Sequence, residues 1–407
     1  MDNALEARVA APQDLSANAL LLRYAARSSF FFASPQITVL GEGIQHRLPE
    51  ASTAGAPLAT RVQALFDQAC RAGRVQSLVV GALPFASDAE PVLYIPAQIE
   101  RAGPLSCARL PLPRPAARHC IIQERPRADR YRDSVVAALQ RFKDTPLQKV
   151  VLSRSLELLG DSDIDQPQLL RNLAQRNATG FTYAVDLPVA VRGASPRRLM
   201  GASPELLLSR RGERVISNPI AGSLPRSADP EQDRANAASL LASAKDHHEH
   251  ALVVDAVVAA LRPYCKLVER PPMPSLTSTA RLWHLSTRVV GVLRDPSVSS
   301  LTLAQALHPT PAVCGHPQQL AREAIAALEP LPRGLFTGMV GWCDASGDGE
   351  WAITIRCAEV EAGRARLYAG AGIVPASDPQ LEVAETATKF RTMLDAFGAS
   401  IDTGAFA

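Results

Sequence analysis

Two acidic segments of the chain carry side chains whose spacing could do chemistry. In Ser243-Ala244-Lys245-Asp246-His247-His248-Glu249-His250, the residues Asp246, Glu249 and His250 fall at i, i+3 and i+4, so a helix would present all three on one face. Two carboxylates on one face can hold a hard cation, and the same residues can also form an ordinary solvated face. The histidines hint at zinc, but the order His-His-Glu-His is not HExxH and suits zinc geometry poorly. Near the C-terminus Glu382, Glu385 and Lys389 repeat the three- and four-residue spacing, with Glu385 and Lys389 equally able to form a plain i,i+4 surface pair. Two such helices facing one cavity would suit Mg²⁺. That ion takes oxygen ligands, keeps waters, and often needs only one or two carboxylates beside a substrate's own anionic oxygens.

A second group is suited to proton transfer. Of the 43 basic residues only five are Lys, at 143, 149, 245, 266 and 389, leaving 38 Arg. Arg keeps its proton in a protein, whereas Lys can act as a base once its pKa is lowered. Lys149 opens an alternating stretch, and Glu205 follows the turn Gly201-Ala202-Ser203-Pro204. On neighbouring strands the two could be a simple ion pair. In a closed site, burial would favour neutral Lys and protonated Glu, which is a base and an acid. A third feature is Ala369-Gly370-Ala371-Gly372-Ile373, where glycines in a strand could let a ligand approach the backbone. Arg356, placed on the preceding hairpin strand, could grip the same anion through two parallel hydrogen bonds. A bulge and a surface Arg would read the same way.

These residues need elements to hold them. The pattern predicts a helix over Tyr131–Lys143, a strand over Gln148–Leu159, and a hairpin of Leu206–Arg210 with Arg214–Ser217. One long helix is expected from Asp229 to Tyr264, since neither Gly nor Pro interrupts it between Pro230 and Pro263. Strands are expected over Gly334–Trp342, Glu350–Val360 and Arg364–Val374, with a final helix opened by Asp378-Pro379. Earlier, Ser77–Phe85 and Pro91–Pro96 read as short strands, and the proline-rich stretch from Ala102 to Pro126 as an irregular connection. Runs of strands followed by helices, without βαβ alternation, argue an α+β fold with antiparallel sheets. No glycine-rich phosphate loop sits between a strand and a helix, so nucleotide binding is weakly supported.

Composition narrows the class. The 407 residues are 47% hydrophobic and 20% charged, which excludes disorder for most of the chain. A net charge of +3 is too balanced for a nucleic-acid footprint. No apolar run reaches membrane-spanning length, and the acidic start MDNALEARVA does not resemble a secretory signal, so a cytoplasmic protein is expected. The seven cysteines form no CxxC pair and read as reduced thiols.

Taken in order, these segments resemble the chorismate-binding enzyme family, which includes isochorismate synthases, the large subunits of anthranilate and aminodeoxychorismate synthases, and salicylate synthases. The resemblance rests on KVVLSR at 149–154, GASPELLL at 201–208, PIAGSLPR at 219–226, KDHHEH at 245–250, LWHLST at 282–287, GEWAITIRCAEV at 349–360, and RLYAGAGIVPASDP at 366–379 followed by ExxET at 382–386. Ala306-Leu307-His308-Pro309-Thr310-Pro311-Ala312, with Phe30-Phe31-Phe32-Ala33-Ser34-Pro35 earlier, is similar to the isochorismate synthase branch of enterobactin type. Ala387 departs from that branch, where Gly is common.

The resemblance implies one large α+β domain, with two antiparallel sheets forming a sandwich surrounded by helices. Residues 1–130 would be the N-terminal part of that domain and 131–407 its chorismate-binding core. It implies Mg²⁺-dependent conversion of chorismate to isochorismate for a catecholate or salicylate siderophore. Lys149 would activate water at ring carbon 2 and Glu205 would protonate the departing C4 hydroxyl. Glu249 and Glu382 would hold Mg²⁺, with Asp246 and Glu385 around it. Arg356 and the backbone at Gly370 and Gly372 would bind the enolpyruvyl carboxylate, with Lys389 a further carboxylate contact. Gly222, His284, Ala306 and Leu307 would line the substrate pocket. A salicylate synthase and a menaquinone-pathway isochorismate synthase are the alternatives. The partners expected are chorismate and isochorismate, with no nucleic acid and no membrane, for a monomer in at most transient contact with an isochorismate-consuming enzyme.

Overall fold

The computed structural model describes residues 16–25, 27–49, 56–73, 77–117, 119–189, 195–398 and 400–401. The first ten residues, on which the expectation about a secretory signal rests, lie outside them. The described strands form sheets of eleven, nine and three strands. Pairing is antiparallel except where Ser400–Ile401 runs parallel to His119–Arg125. The expected α+β sandwich is what forms.

The two larger sheets stack because alternate side chains on their strands are apolar on both faces. Phe30 and Phe32 point into a core shared with Val80, Tyr94 and Trp342 of the other sheet. Phe31 points the opposite way, into a core beneath the helices Ala17–Arg23, Gln166–Gln175 and Pro379–Phe397. On the far side of the nine-stranded sheet, Phe66, Val254, Val257 and Leu301 bring in three more helices, Leu58–Arg71, Ala244–Leu261 and Ser300–Leu307. Fully burying each such side chain contributes about 1.5–3 kcal/mol. The N-terminal strands are woven into both sheets: Ser28–Ala33 pairs with Phe181–Asp186, and Leu78–Leu83 with Met339–Asp344.

The helix Ala128–Asp144, the strand Lys149–Gly160, the hairpin Leu206–Arg211 with Arg214–Asn218, and the strand Arg364–Ile373 sit where the pattern placed them. The last helix, Pro379–Phe397, is capped by Asp378, whose carboxylate accepts from the backbone amides of Gln380 and Leu381.

Several boundaries differ from expectation. The segment Asp229–Tyr264 is two helices, Pro230–Ala242 and Ala244–Leu261. The break is Ser243, which turns extended and accepts the Asp246 amide with its side chain, so an N-cap interrupts the helix without Gly or Pro. The stretch Glu350–Val360 is not one strand either. Gly349–Ile353 belongs to the nine-stranded sheet and Cys357–Glu361 to the eleven-stranded one. The chain crosses between the sheets at Thr354-Ile355-Arg356, and Arg356 takes a left-handed φ of 50° there. The strand expected from Gly334 starts only at Met339, after turns that include Thr337 at φ 58°. The proline-rich stretch ends in a strand, His119–Arg125. All seven cysteines are free thiols, and among the described residues no helix is long and apolar enough to cross a membrane.

Candidate active site

A cavity of about 310 Å³ opens where the strand Arg364–Ile373, the sheet crossover and the helices Ala244–Leu261 and Pro379–Phe397 meet. It gathers Glu205, Gly222, His284, Arg356, Gly370, Gly372 and Lys389, together with all four candidate metal carboxylates, Asp246, Glu249, Glu382 and Glu385.

Lys149 lies directly behind Glu249, its Nζ 2.9 Å from Glu249 Oε1 and its side chain only 1% exposed. It is the first residue of its strand, and two residues on Val151 pairs with Gly372 of the neighbouring strand. A Cβ on Gly372 would come within 2.6 Å of Glu249 Oε1 and 3.1 Å of Lys149 Cε. The glycine is therefore the room in which this ion pair sits. Burial works against ionised Glu249, but Lys149, Lys389 and Lys245 outweigh it and hold the carboxyl below its usual value.

Glu205 is also buried and lines the cavity. Burial raises its carboxyl to about 8, against the opposing pull of Lys149 and Arg356. At neutral pH it carries a proton. Glu205 thus holds the proton that an acid requires.

The crossover explains Arg356. Its left-handed backbone joins two sheets, and burial lowers its guanidinium to about 10, still well above neutrality. Gly222 sits at a bulge in the pairing of Ile220–Pro225 with Leu282–Ser286, at φ 73°, and an added Cβ would meet Asp246 Cβ at 3.0 Å. Opposite that bulge His284 Nδ1 lies 2.8 Å from Ser223 Oγ, and burial holds the imidazole well below its ordinary pKa, hence neutral. Its Nε2 is buried without a partner. Lys389 donates to Gly370 O at 2.8 Å and pairs with Glu385 at 2.6 Å, so it fixes the glycine strand as well as facing the cavity.

The donor set fits a hard divalent cation. Each of two helices contributes two carboxylates, and Glu382 Oε2 is buried with no hydrogen-bond partner. Burial and the neighbouring Glu385 raise the Glu382 carboxyl to about 7, and a cation there would reverse that. As folded, three of the carboxylates are drawn to lysines: Glu249 to Lys149, Glu385 to Lys389, and Glu382 to Lys245 at 3.8 Å. Among the described residues no three such donors converge closely enough to hold an ion alone, so waters and substrate oxygens would have to complete the shell of a bound ion.

Three expected residues do not line the cavity: Lys149, which stands behind Glu249, and Ala306 and Leu307. Ala306 and Leu307 end the helix Ser300–Leu307, Ala306 exposed and Leu307 in the core under the nine-stranded sheet. The chain must still pass His308, whose Nε2 donates to Thr337 O at 2.8 Å, before it reaches the cavity at Ala312 and Val313. The apolar wall is Val151, Ala312, Val313, Phe336, Ile355 and Tyr368, with the rings of Phe336 and Tyr368 stacked 5.1 Å apart. None of these carries a titratable group that burial leaves charged, so residue type gave no chemical signal. Proximity to Pro311 and Gly370 was the available one.

The chain is 50% identical over 372 residues to isochorismate synthase DhbC of Bacillus subtilis (strain 168), covering 91% of this chain and 94% of that protein. It is 40% identical over 380 residues to isochorismate synthase EntC of Escherichia coli (strain K12), covering 92% and 95%. A crystal structure described as a 2,3-dihydroxybenzoate-specific isochorismate synthase, DhbC, from Bacillus anthracis superposes with a TM-score of 0.87 at 47% identity, covering 94% of this chain and 99% of that one. The family profile described as chorismate binding enzyme matches residues 79–398. With that match over most of its length, and a cavity that gathers buried Glu205 and four carboxylates in front of Lys149, this chain belongs to the chorismate-binding enzyme family.

Proposed function

We propose that this protein is an isochorismate synthase of the siderophore-associated type, converting chorismate to isochorismate. The observation that carries the chemistry is a buried Lys149, held against Glu249, in the electrostatic reach of a buried Glu205 whose carboxyl burial raises to about 8. Lys149 acts from its deprotonated form, in which Nζ takes a proton from water as the oxygen bonds to ring C2. The ring double bonds shift, the C4–O bond breaks, and Glu205 gives its proton to the leaving hydroxyl, which departs as water. Atoms balance, and each group ends in the other's initial protonation state. Arg356 and the backbone at Gly370 and Gly372 hold the enolpyruvyl carboxylate, while His284, kept neutral, flanks the ring. Glu249 and Glu382, with Asp246 and Glu385 around them, would hold Mg²⁺, which would supply positive charge to offset the negative charge that develops in the displacement.

A salicylate synthase would carry the bound product further, to salicylate and pyruvate, with the enolpyruvyl arm folded over C2. The two products distinguish the readings. Incubation with chorismate and Mg²⁺, followed by NMR at neutral pH, is expected to give isochorismate, and chorismate when isochorismate is supplied. EDTA should stop the reaction and Mg²⁺ restore it. Pyruvate and salicylate appearing at the rate of chorismate loss would move the protein to the salicylate synthase branch, and full activity in EDTA would remove the metal.

The role of Gly372 gives a separate expectation. Gly372→Ala places a methyl group against the tip of Glu249 and the Lys149 stem. Both are ends of flexible side chains, so the fold should survive, but the pair must move. A shift of about 1 Å in a reacting group costs roughly 10²-fold. Steady-state rates and melting temperature together check this: a wild-type rate in the variant would mean that the pair's position is not critical.

A further inference from the structure

Behind the apolar wall lies an ion pair that touches no part of the cavity's interior. Arg333 is buried, and every one of its five N–H donors is used. Nε and Nη2 grip Glu329 at 2.9 and 2.6 Å. Nη2 also donates to Val151 O at 2.7 Å, and Nη1 to Val313 O at 2.7 Å and Thr337 Oγ1 at 3.2 Å. Glu329 Oε1 in turn accepts the Ser153 amide at 2.8 Å, and the ring of Phe85 lies 4.5 Å from the guanidinium. Val151, Val313 and Thr337 come from three separate segments, and all three line the cavity.

We infer that Arg333 is a positioning residue for the reaction, whose guanidinium sets the gap between the strand that carries Lys149 and the wall made by Ala312 and Val313. Val151 is two residues from Lys149 on one strand, so its carbonyl reports the base's position. Val313 fixes the face against which the ring rests. Tying both to one planar group holds water, base and C2 in register, although Arg333 itself reaches none of them. Lys at this position would keep a charge against Glu329, but its three donors on a single nitrogen cannot span the same acceptors. The inference rests on the proposed isochorismate synthase activity and adds a residue to it.

The test uses Arg333→Lys and the double variant Arg333→Met with Glu329→Gln, which leaves no lone buried charge. Both are assayed beside wild type for melting temperature, kcat and KM with chorismate and Mg²⁺. Arg333→Lys should fold and lose about tenfold to 10²-fold in kcat. KM should change less, because Arg333 contacts none of Arg356, Gly370, Gly372 and Lys389, the groups assigned to the substrate's carboxylates. The double variant should regain melting temperature without regaining kcat, which a purely structural tie would not do. Wild-type kcat in either folded variant, or a loss confined to KM, would overturn the inference. Wild-type enzyme that makes no isochorismate would instead sink the functional proposal beneath it.

Discussion

A Lys149→Ala enzyme is expected to turn over chorismate at least about 10²- to 10⁴-fold more slowly than wild type, the usual loss with a general base. Two effects act together in that variant. The acceptor of the water proton is gone, and Glu249 loses its partner 2.9 Å away and remains buried. An unpaired buried charge destabilises strongly, so the melting temperature will fall as well. Lys149→Arg separates the effects. Guanidinium keeps the positive charge beside Glu249 but cannot accept a proton, so its rate should be nearly as poor while its stability recovers. Substantial activity in Lys149→Arg would mean that Lys149 is an electrostatic clamp and that another group takes the proton.

Glu205→Gln should fail to a similar degree for the opposite reason. The amide has nearly the same shape but no proton acidic enough to give the leaving hydroxyl. The wild-type pH profile carries the same information. Burial raises Glu205 to about 8, so its acid form is present at neutral pH and is lost as pH rises through about 8. kcat/KM should therefore fall on the alkaline side near that value, and acidification from pH 7 should not deplete this group's active form. Glu205→Gln should abolish the reaction that defines that limb. If Glu205→Gln keeps wild-type kcat, the hydroxyl leaves without this acid.

The difference between what the sequence predicted and what formed has physical causes. Charged residues with helical spacing were legible because 3.6-residue periodicity acts locally: Asp246 with Glu249, and Glu382 with Glu385, each share a face before any tertiary contact forms. Lys149 and Glu205 were legible as types, and their burial required the fold. Ser243 was missed because a serine ends one helix and starts another through a single side-chain hydrogen bond, a cue weaker than Gly or Pro. Arg356 was placed on a continuous strand because Glu350–Val360 is uniformly strand-like. The crossing between sheets is imposed by pairing partners far away in sequence, Leu206–Arg211 on one side and Arg197–Ser203 on the other. The apolar wall of the cavity lies a few residues further along than expected, at Ala312-Val313 rather than Ala306-Leu307. Nothing local distinguishes a small apolar residue facing a ligand from one facing solvent or core.

The scarcity of lysine has a practical side in the reactivity of the surface. Lys149 and Lys389 are enclosed, while Lys143 and Lys266 lie out on the surface. Lys245, about two-fifths exposed, stands at the cavity mouth beside Glu382. An amine-directed label or immobilising resin thus meets three accessible lysine side chains, of which only Lys245 lines the cavity. Attachment through Lys143 or Lys266 leaves the cavity open, and shielding of Lys245 by bound chorismate turns that one amine into a covalent reporter of occupancy.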